Sequence, residues 1–358
     1  MKPRRKVSGV RMTNPPAVHG PLPVAVIGAG RMGRHHARIY SGMSQCQLVA
    51  VVDSDGGRCA EVAAEYGCRA FASVHEMLAS GIRPVASTIA APTVHHRAVA
   101  AELFEAGIDT LIEKPLAPTA ADCHAIIDHA RRCHRILQVG HSERFNPVVR
   151  ALAQHRLQPH FIEVQRVSPM TFRSIDIGVV LDMMIHDIDI VGHLVGSPIK
   201  SVAAVGVSVL SSFEDIANAR LVFANGCVAN LTASRLATKT ERKMRLFSTD
   251  MYVSADYHKK AGVVIRRTAN QEQLDRLKTK IRSGEVAELA DLDYTELVNY
   301  EPLTIEDREP LQVELEAFIH AVQHRTAPPV TGDDGLRAVD IAEKITESIA
   351  EHAWQTMP

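Results

Sequence analysis

Nowhere in the 358 residues is there a run of about 18 apolar residues, which excludes a membrane-spanning helix. The six cysteines (Cys46, Cys59, Cys68, Cys123, Cys133 and Cys227) never fall in C-x-x-C spacing. That argues against zinc ribbons and disulfide frameworks, and a reducing cytoplasm is the expected compartment. Charge of one sign is also missing. The formal net charge is −1, so no overall field draws nucleic acid or an anionic membrane to the protein. Residues 1–21 are basic and proline-rich without an apolar stretch, and read as a disordered tail, not a signal peptide. No internal repeat is visible. The adjacent pairs His35-His36 and His95-His96 tempt a metal reading, but helical neighbours point about 100° apart and make poor joint ligands. No metal is expected.

What the chain does have is an ordinary globular composition, 46% hydrophobic and 23% charged, and enough length for two domains. The organising stretch is residues 23–40, PVAVIGAGRMGRHHARIY. A short apolar strand breaks at Gly28-Ala29-Gly30-Arg31-Met32-Gly33, and a helical pattern follows. Gly28 permits the tight turn, Gly30 lets backbone approach a pyrophosphate, and Gly33 lets helix pack on strand. The helix N-terminus, from Arg31 and Met32 onward, offers free N–H groups to phosphate. The next apolar strand runs into Asp53, 20 residues past Gly33, where a ribose-binding acid belongs. Its carboxylate would repel a 2′-phosphate, so NAD is the expected cofactor.

Beyond Asp53 short strands and helices alternate. Strands are expected at 70–71, 84–90, 110–112 and 136–139, with helices over 58–66, 73–79, around Val99–Leu103 and over 120–132. That is the pattern of a doubly wound parallel sheet. The fourth strand stops at Ala91-Pro92, near the carboxyl edge where ligands sit. The fifth delivers Glu113-Lys114-Pro115. The pattern then changes to longer, alternating strands at 160–167, 199–209, 217–224, 227–235 and 243–256, with Asn225-Gly226 as a hairpin turn. One helix over 178–195 interrupts them. The charged residues 271–295 read as helical, a lid or an insertion, and helices over 310–323 and 333–350 close the chain. The expected architecture is α/β followed by α+β: a Rossmann domain and a mostly antiparallel sheet domain.

Several of these motifs, taken in order, resemble the Gfo/Idh/MocA sugar oxidoreductases. They are the glycine turn, Ala91-Pro92 with His96 four residues on, Glu113-Lys114-Pro115, Arg144-Phe145-Asn146-Pro147, Asp182-x-x-x-His186 and the segment 330–335, VTGDDG. The resemblance implies a Rossmann domain over 22–144, an α+β substrate and oligomerisation domain over 145–335, and a C-terminal helix, 336–358, packing back between them. Residues 141–147 and 181–189 further resemble the branch that contains UDP-N-acetylglucosamine 3-dehydrogenases, which act before a transamination on the way to lipid A. Met184 stands where the wider family usually has glycine.

From the resemblance, Lys114, His186 and Asp182 are the expected catalytic group. The proline after Lys114 biases it to extended geometry at the sheet edge, and burial can lower a lysine into a useful range. Asp182 and His186, four apart on one helix, share a face, and the carboxylate could orient the imidazole. Which of Lys114 and His186 is the base stays open. Gly28, Gly30, Arg31, Met32, Gly33, Asp53, Ala91, Pro92, His96, Glu113 and Lys114 are expected to bind NAD. Arg144, Asn146, Arg166, Arg173, Asp182, Met184 and His186 are expected to bind substrate, the arginines as bidentate partners of a diphosphate or sugar; Asp187 and Asp189 are weaker candidates. The expected reaction is NAD-dependent oxidation of a UDP-sugar, UDP-N-acetylglucosamine to its 3-keto form, with a downstream aminotransferase as partner. The alternatives are an inositol or free-sugar dehydrogenase, or a non-catalytic NAD-binding regulator. A homodimer or homotetramer is expected, because an open sheet face with apolar alternating residues needs a cover.

Overall fold

A computed structural model describes residues 20–171, 177–284 and 297–352. Six strands form the first sheet: β1 (Leu22–Ile27), β2 (Cys46–Val52), β3 (Arg69–Phe71), β4 (Ala86–Ile89), β5 (Asp109–Glu113) and β6 (Leu137–Gly140). All pair in parallel, in the order β3-β2-β1-β4-β5-β6. Helices cover both faces: α1 (Arg31–Gly42), α2 (Gly56–Tyr66), α3 (Val74–Ala79), α4 (His96–Glu105) and α5 (Ala120–Arg132). Strands covered on both sides are hidden along their whole length, and every residue of β4 and β5 is buried, Ser87, Thr88, Asp109, Thr110 and Glu113 included. Asp55, Ser73 and Thr119 start α2, α3 and α5 by accepting a backbone N–H two or three residues ahead, so each helix begins where a short polar side chain stands. The order reverses beside β1, and the carboxyl ends of β1 and β4 open there into a crevice, the usual ligand position of such sheets.

A 3-10 turn (Ser142–Phe145) and α6 (Pro147–Leu152) lead into the second sheet. Its strands are β7 (Phe161–Val167), β8 (Ile199–Val207), β9 (Ile216–Phe223), β10 (Val228–Ser234), β11 (Glu241–Phe247), β12 (Met251–Asp256), β13 (Ala261–Arg267) and β14 (Val298–Pro302). The order is β14-β13-β12-β11-β7-β10-β9-β8, antiparallel except for β7 with β10. The single strand expected over 243–256 is instead a hairpin, β11 and β12, closed where Ser248 donates its N–H to Met251 O at 2.8 Å. Strands β13 and β14 were not anticipated. Residues 285–296, most of which belong to the segment expected as helical over 271–295, lie outside the described residues, as do the tail up to residue 19 and Arg173; α8 (Gln271–Ser283) is the described part of that segment.

The inner face of this sheet carries the apolar alternation, Ile162, Val164, Leu231, Met244 and Leu246 among it, and packs on α7 (Ile185–Val195) and α10 (Gly332–Glu351). The open face is mixed, so the expectation of an apolar one holds only in part: Phe161, Phe247 and Tyr252 pack together on it, with ring centroids 5.8 Å and 5.1 Å apart, beside a polar patch. Asn218 donates to Thr232 Oγ1 at 2.8 Å and Arg220 to Asn230 Oδ1 at 3.1 Å across neighbouring strands. Alternation alone does not say which member of each pair points outward; in β9 the alanines and leucine go in and Asn218 and Arg220 go out.

Two further differences bear on the site. The helix expected over 178–195 begins as a π-turn, Val180–Met184, and becomes α-helical only at Ile185. Helix α9 (Pro310–His324), placed by sequence with the second domain, buries Leu311, Leu315, Phe318, Ile319 and Val322 against Val24, Val26, Tyr40 and Val51 of the first. Its apolar stripe needs a partner, and α1 supplies one. Helix α10, started by a reciprocal Thr331–Asp334 cap, packs on both α5 and α7 and ties the halves together. Among the described residues no helix is long and apolar enough to cross a membrane.

Candidate active site

Two close approaches shape the crevice. Gly28 has φ +100°, and a Cβ on it would lie 2.6 Å from Ala90 O; a Cβ on Gly33 would lie 1.7 Å from Gly28 O. Both positions therefore exclude side chains, whereas a Cβ on Gly30 would meet nothing within 4 Å. That open space over the first turn of α1 is a cradle for a pyrophosphate, with unpaired helix N–H groups at its base. Asp53, at the end of β2, accepts the Ala29 N–H at 2.6 Å and the Asp55 N–H at 2.9 Å. Arg58 Nη2 donates to it at 2.8 Å. Burial opposes its ionisation, but the Arg58 guanidinium and the two N–H groups outweigh burial and hold the carboxyl below its usual range. A fixed carboxylate at this edge suits a ribose diol, so these residues fit NAD.

The crevice continues into a cleft of about 980 Å³ between the two sheets. Arg31, Met32, Ala91, Glu113, Lys114, Arg166, Asp182 and His186 of the expected set line it, with Ala90 beside them. Lys114 joins to Pro115 through a cis peptide bond. Its Nζ donates to Asp182 O at 2.8 Å and lies 3.9 Å from Asp182 Oδ1. Burial pushes this lysine below its usual value, against the pull of the Asp182 and Glu113 carboxylates. The His186 imidazole is held well below its usual value, first by burial and then by the charges of Lys114 and Arg166. Its Nδ1 is buried with no hydrogen-bond partner. The Asp182 carboxylate accepts no hydrogen bond from His186, so it does not orient the imidazole as expected. The π-turn is the reason: wider than an α-turn, it offsets side chains four apart and turns the Asp182 carbonyl toward Lys114.

The same turn sets which methionine faces the cleft. Met183 lines it, while Met184 is fully buried in the core. Arg144 is also placed differently from expectation. Its guanidinium is buried and forks onto the Asp189 carboxylate, through Nε at 2.9 Å and through Nη2. Arg166 forks onto Asp187 with both distances 2.8 Å. Asn146 caps α6 by accepting the Val148 N–H at 3.0 Å. His96 is buried and bridges two loops, Nε2 to Ala91 O at 2.9 Å and Nδ1 to Leu116 O at 3.2 Å, so it fixes the cofactor loops from behind. Pro92 ends its loop as the cap of a short 3-10 turn. Glu113 meets His36 Nε2 at 2.7 Å, a buried pair beneath Lys114.

Sequence reasoning missed Glu143, Arg235 and Arg242, which also line the cleft. Glu143 Oε1 lies 2.9 Å from Arg242 Nη1 and 3.6 Å from Arg166 Nη1. No local motif joins residues about a hundred positions apart, and the strand expected to begin at residue 243 left Arg242 outside it.

Residues 22–141 match the family model described as "Oxidoreductase family, NAD-binding Rossmann fold" (GFO_IDH_MocA), and residues 152–254 match the GFO/IDH/MocA C-terminal domain. A UDP-N-acetylglucosamine 3-dehydrogenase of Acidithiobacillus ferrooxidans is 41% identical over 248 residues, 67% of this chain and 78% of that protein. A solved structure of that enzyme superposes with a TM-score of 0.81 at 34% identity, covering 92% of this chain and 98% of the other. An inositol 2-dehydrogenase of Rhizobium meliloti is 26% identical over 91% of this chain and 96% of its own length. Levoglucosan dehydrogenase in complex with NADH and levoglucosan shares the fold, with a TM-score of 0.77 at 18% identity over 94% of this chain and 99% of that one.

Proposed function

The chain belongs to the Gfo/Idh/MocA oxidoreductase family, and from that premise we propose that it oxidises UDP-N-acetylglucosamine at C3 to the 3-keto sugar nucleotide. The observation that carries the reading is the convergence of Lys114, Asp182 and His186 at the inner end of a cleft that opens off the dinucleotide cradle. The sugar-nucleotide assignment is supported by the 41% identity to the Acidithiobacillus enzyme.

Gly28, Gly30 and Gly33 with the start of α1 would hold the NAD pyrophosphate, and Asp53 the adenosine ribose. Bound NAD supplies the hydride acceptor. The protein's own part is to place the sugar carbon and to take the hydroxyl proton. His186 is the base in this reading. An imidazole held well below its usual value carries no proton at neutral pH and can accept one. Lys114, which donates to Asp182 O, presents its ammonium to the same hydroxyl and favours the developing alkoxide. Asp182 holds that ammonium in place through its carbonyl and its nearby carboxylate. The remote nucleotide contributes binding energy that positions the sugar. A ketone product makes an aminotransferase the class of enzyme that would consume it.

The test supplies UDP-N-acetylglucosamine, NAD and an aminotransferase with its amino donor, and looks for the 3-amino sugar nucleotide by mass spectrometry. Product is expected with the UDP-sugar. Turnover of free N-acetylglucosamine or myo-inositol, with none of the UDP-sugar, would overturn the substrate.

A further inference from the structure

Among the described residues five cations line the cleft, and four of them bond to the protein. Arg166 forks onto Asp187. Arg235 is held by Ile177 O at 2.5 Å and Glu214 O at 3.3 Å, with Asp215 beside it at 3.4 Å. Lys114 donates to Asp182 O. Arg31 stands at the start of α1, on the dinucleotide turn. Arg242 is differently placed. It sits in β11 directly opposite Arg166 of β7 in the strand register, and its side chain is 41% exposed. Its guanidinium donates through Nη1 to Glu143 Oε1 at 2.9 Å, and the residue lines the cleft.

Two guanidiniums in register repel each other, and like charges directly opposite weaken a strand pair. Arg166 is neutralised by Asp187. Glu143, 3.6 Å from Arg166 and 2.9 Å from Arg242, balances the second charge. It engages Arg242 through Nη1 alone, and that side chain, a planar fork, stays 41% exposed at the cleft wall. Phosphate oxygens match such a fork in two places at once. The position also suits the substrate. Arg242 lies near enough to His186 for its charge to act on the imidazole, and C1 of the sugar, which carries the diphosphate, is two ring bonds from C3.

We propose that Arg242, held in orientation by Glu143, binds the diphosphate of the sugar nucleotide and is what separates that substrate from neutral sugars and cyclitols. The inference rests on the sugar-nucleotide reading and names the residue that enforces it. A neutral polyol offers this guanidinium no anion, while a diphosphate does. Of the arginines expected in this role, Arg144 and Arg166 have their forks filled by Asp189 and Asp187, and Arg173 lies outside the described residues.

The experiment measures binding of UDP and of inorganic pyrophosphate by calorimetry to the wild-type protein, Arg242→Gln and Arg242→Lys. NADH binding by fluorescence reports the integrity of the cofactor half. Losing charge-assisted bonds to phosphate should weaken UDP about 10–100-fold in Arg242→Gln. Arg242→Lys should recover part of the loss, because it restores the charge but not the fork, and NADH affinity should be unchanged in both. Equal UDP affinity in the wild type and Arg242→Gln would overturn the role of Arg242 and leave the substrate reading standing. A wild-type protein that binds neither UDP nor pyrophosphate would overturn both.

Discussion

The two walls of the cleft are built by different physics. The cofactor wall is made of backbone: a glycine turn, strand ends and a helix N-terminus, with side chains mostly excluded by close approach. The substrate wall is made of paired charges, Arg166 with Asp187 and Arg144 with Asp189, locked beneath a π-turn that aims Asp182, Met183 and His186. Backbone geometry tolerates few sequences, because only glycine fits where a Cβ would strike a carbonyl. A buried ion-pair lattice has many equivalent solutions, provided each charge has its partner. The cofactor wall thus presents one fixed shape, and the substrate wall is where specificity can vary.

The sharpest test of this contrast uses the two residues that face each other across it. Lys114 comes from the first sheet and His186 from the second half. Alanine at either is expected to lower kcat by about 10²–10⁴-fold while NADH affinity, set by the other wall, stays near that of the wild type. The base must be unprotonated, and His186 is held below its usual value. Wild-type kcat/KM should therefore be level through neutral pH and fall only as pH drops through that lowered value. Near-normal kcat in both variants would remove them from the chemistry.

The next largest effect breaks the lattice itself. Arg166→Met leaves Asp187 charged and unpaired in the core, a loss of about 3–5 kcal/mol in urea unfolding. Removing Asp187 as well, as Arg166→Met/Asp187→Leu, should recover most of it. Arg242→Met, on an exposed guanidinium, should leave the unfolding midpoint almost unmoved. Equal loss in Arg166→Met and Arg242→Met would mean that the fork contributes no more than an exposed pair.

The smallest effect comes from an exception to the contrast. Glu314 of α9 is fully buried behind the cofactor wall, with neither carboxyl oxygen bonded to another group. Burial, with Glu113 and Asp189 adding to it, raises this acid well above its ordinary 4.5. The folded protein keeps the proton while the unfolded chain loses it. Stability should thus be fullest below about pH 4.5 and decline as pH rises from there toward the raised value, by up to about 1.4 kcal/mol per pH unit. Thermal melts across pH should show this decline in the wild type, and Glu314→Gln should flatten it. An unchanged profile in the variant would show that another group carries the dependence.

The glycine turn, the acid at the end of β2, the alternation of strand and helix, and Lys114 at a strand end before proline were legible in the sequence. Each is a local constraint in which a few consecutive residues have one comfortable backbone answer. The hairpin at Asn225-Gly226 was legible for the same reason, with Gly226 at φ +89°. The hidden features are of another kind. A wide helical turn has no residue signature, so Met183 and Met184 could not be told apart. Arg144 and Arg166 looked available for phosphate because the carboxylates that fill them lie on a distant helix. Glu143 meets Arg242 across 99 positions of chain. The sequence by itself determined the cofactor wall and the order of elements, because local sterics settle a backbone. Only the tertiary structure decided which charges were paired and which were left facing the cleft, because pairing depends on what the folded chain brings within a few ångströms.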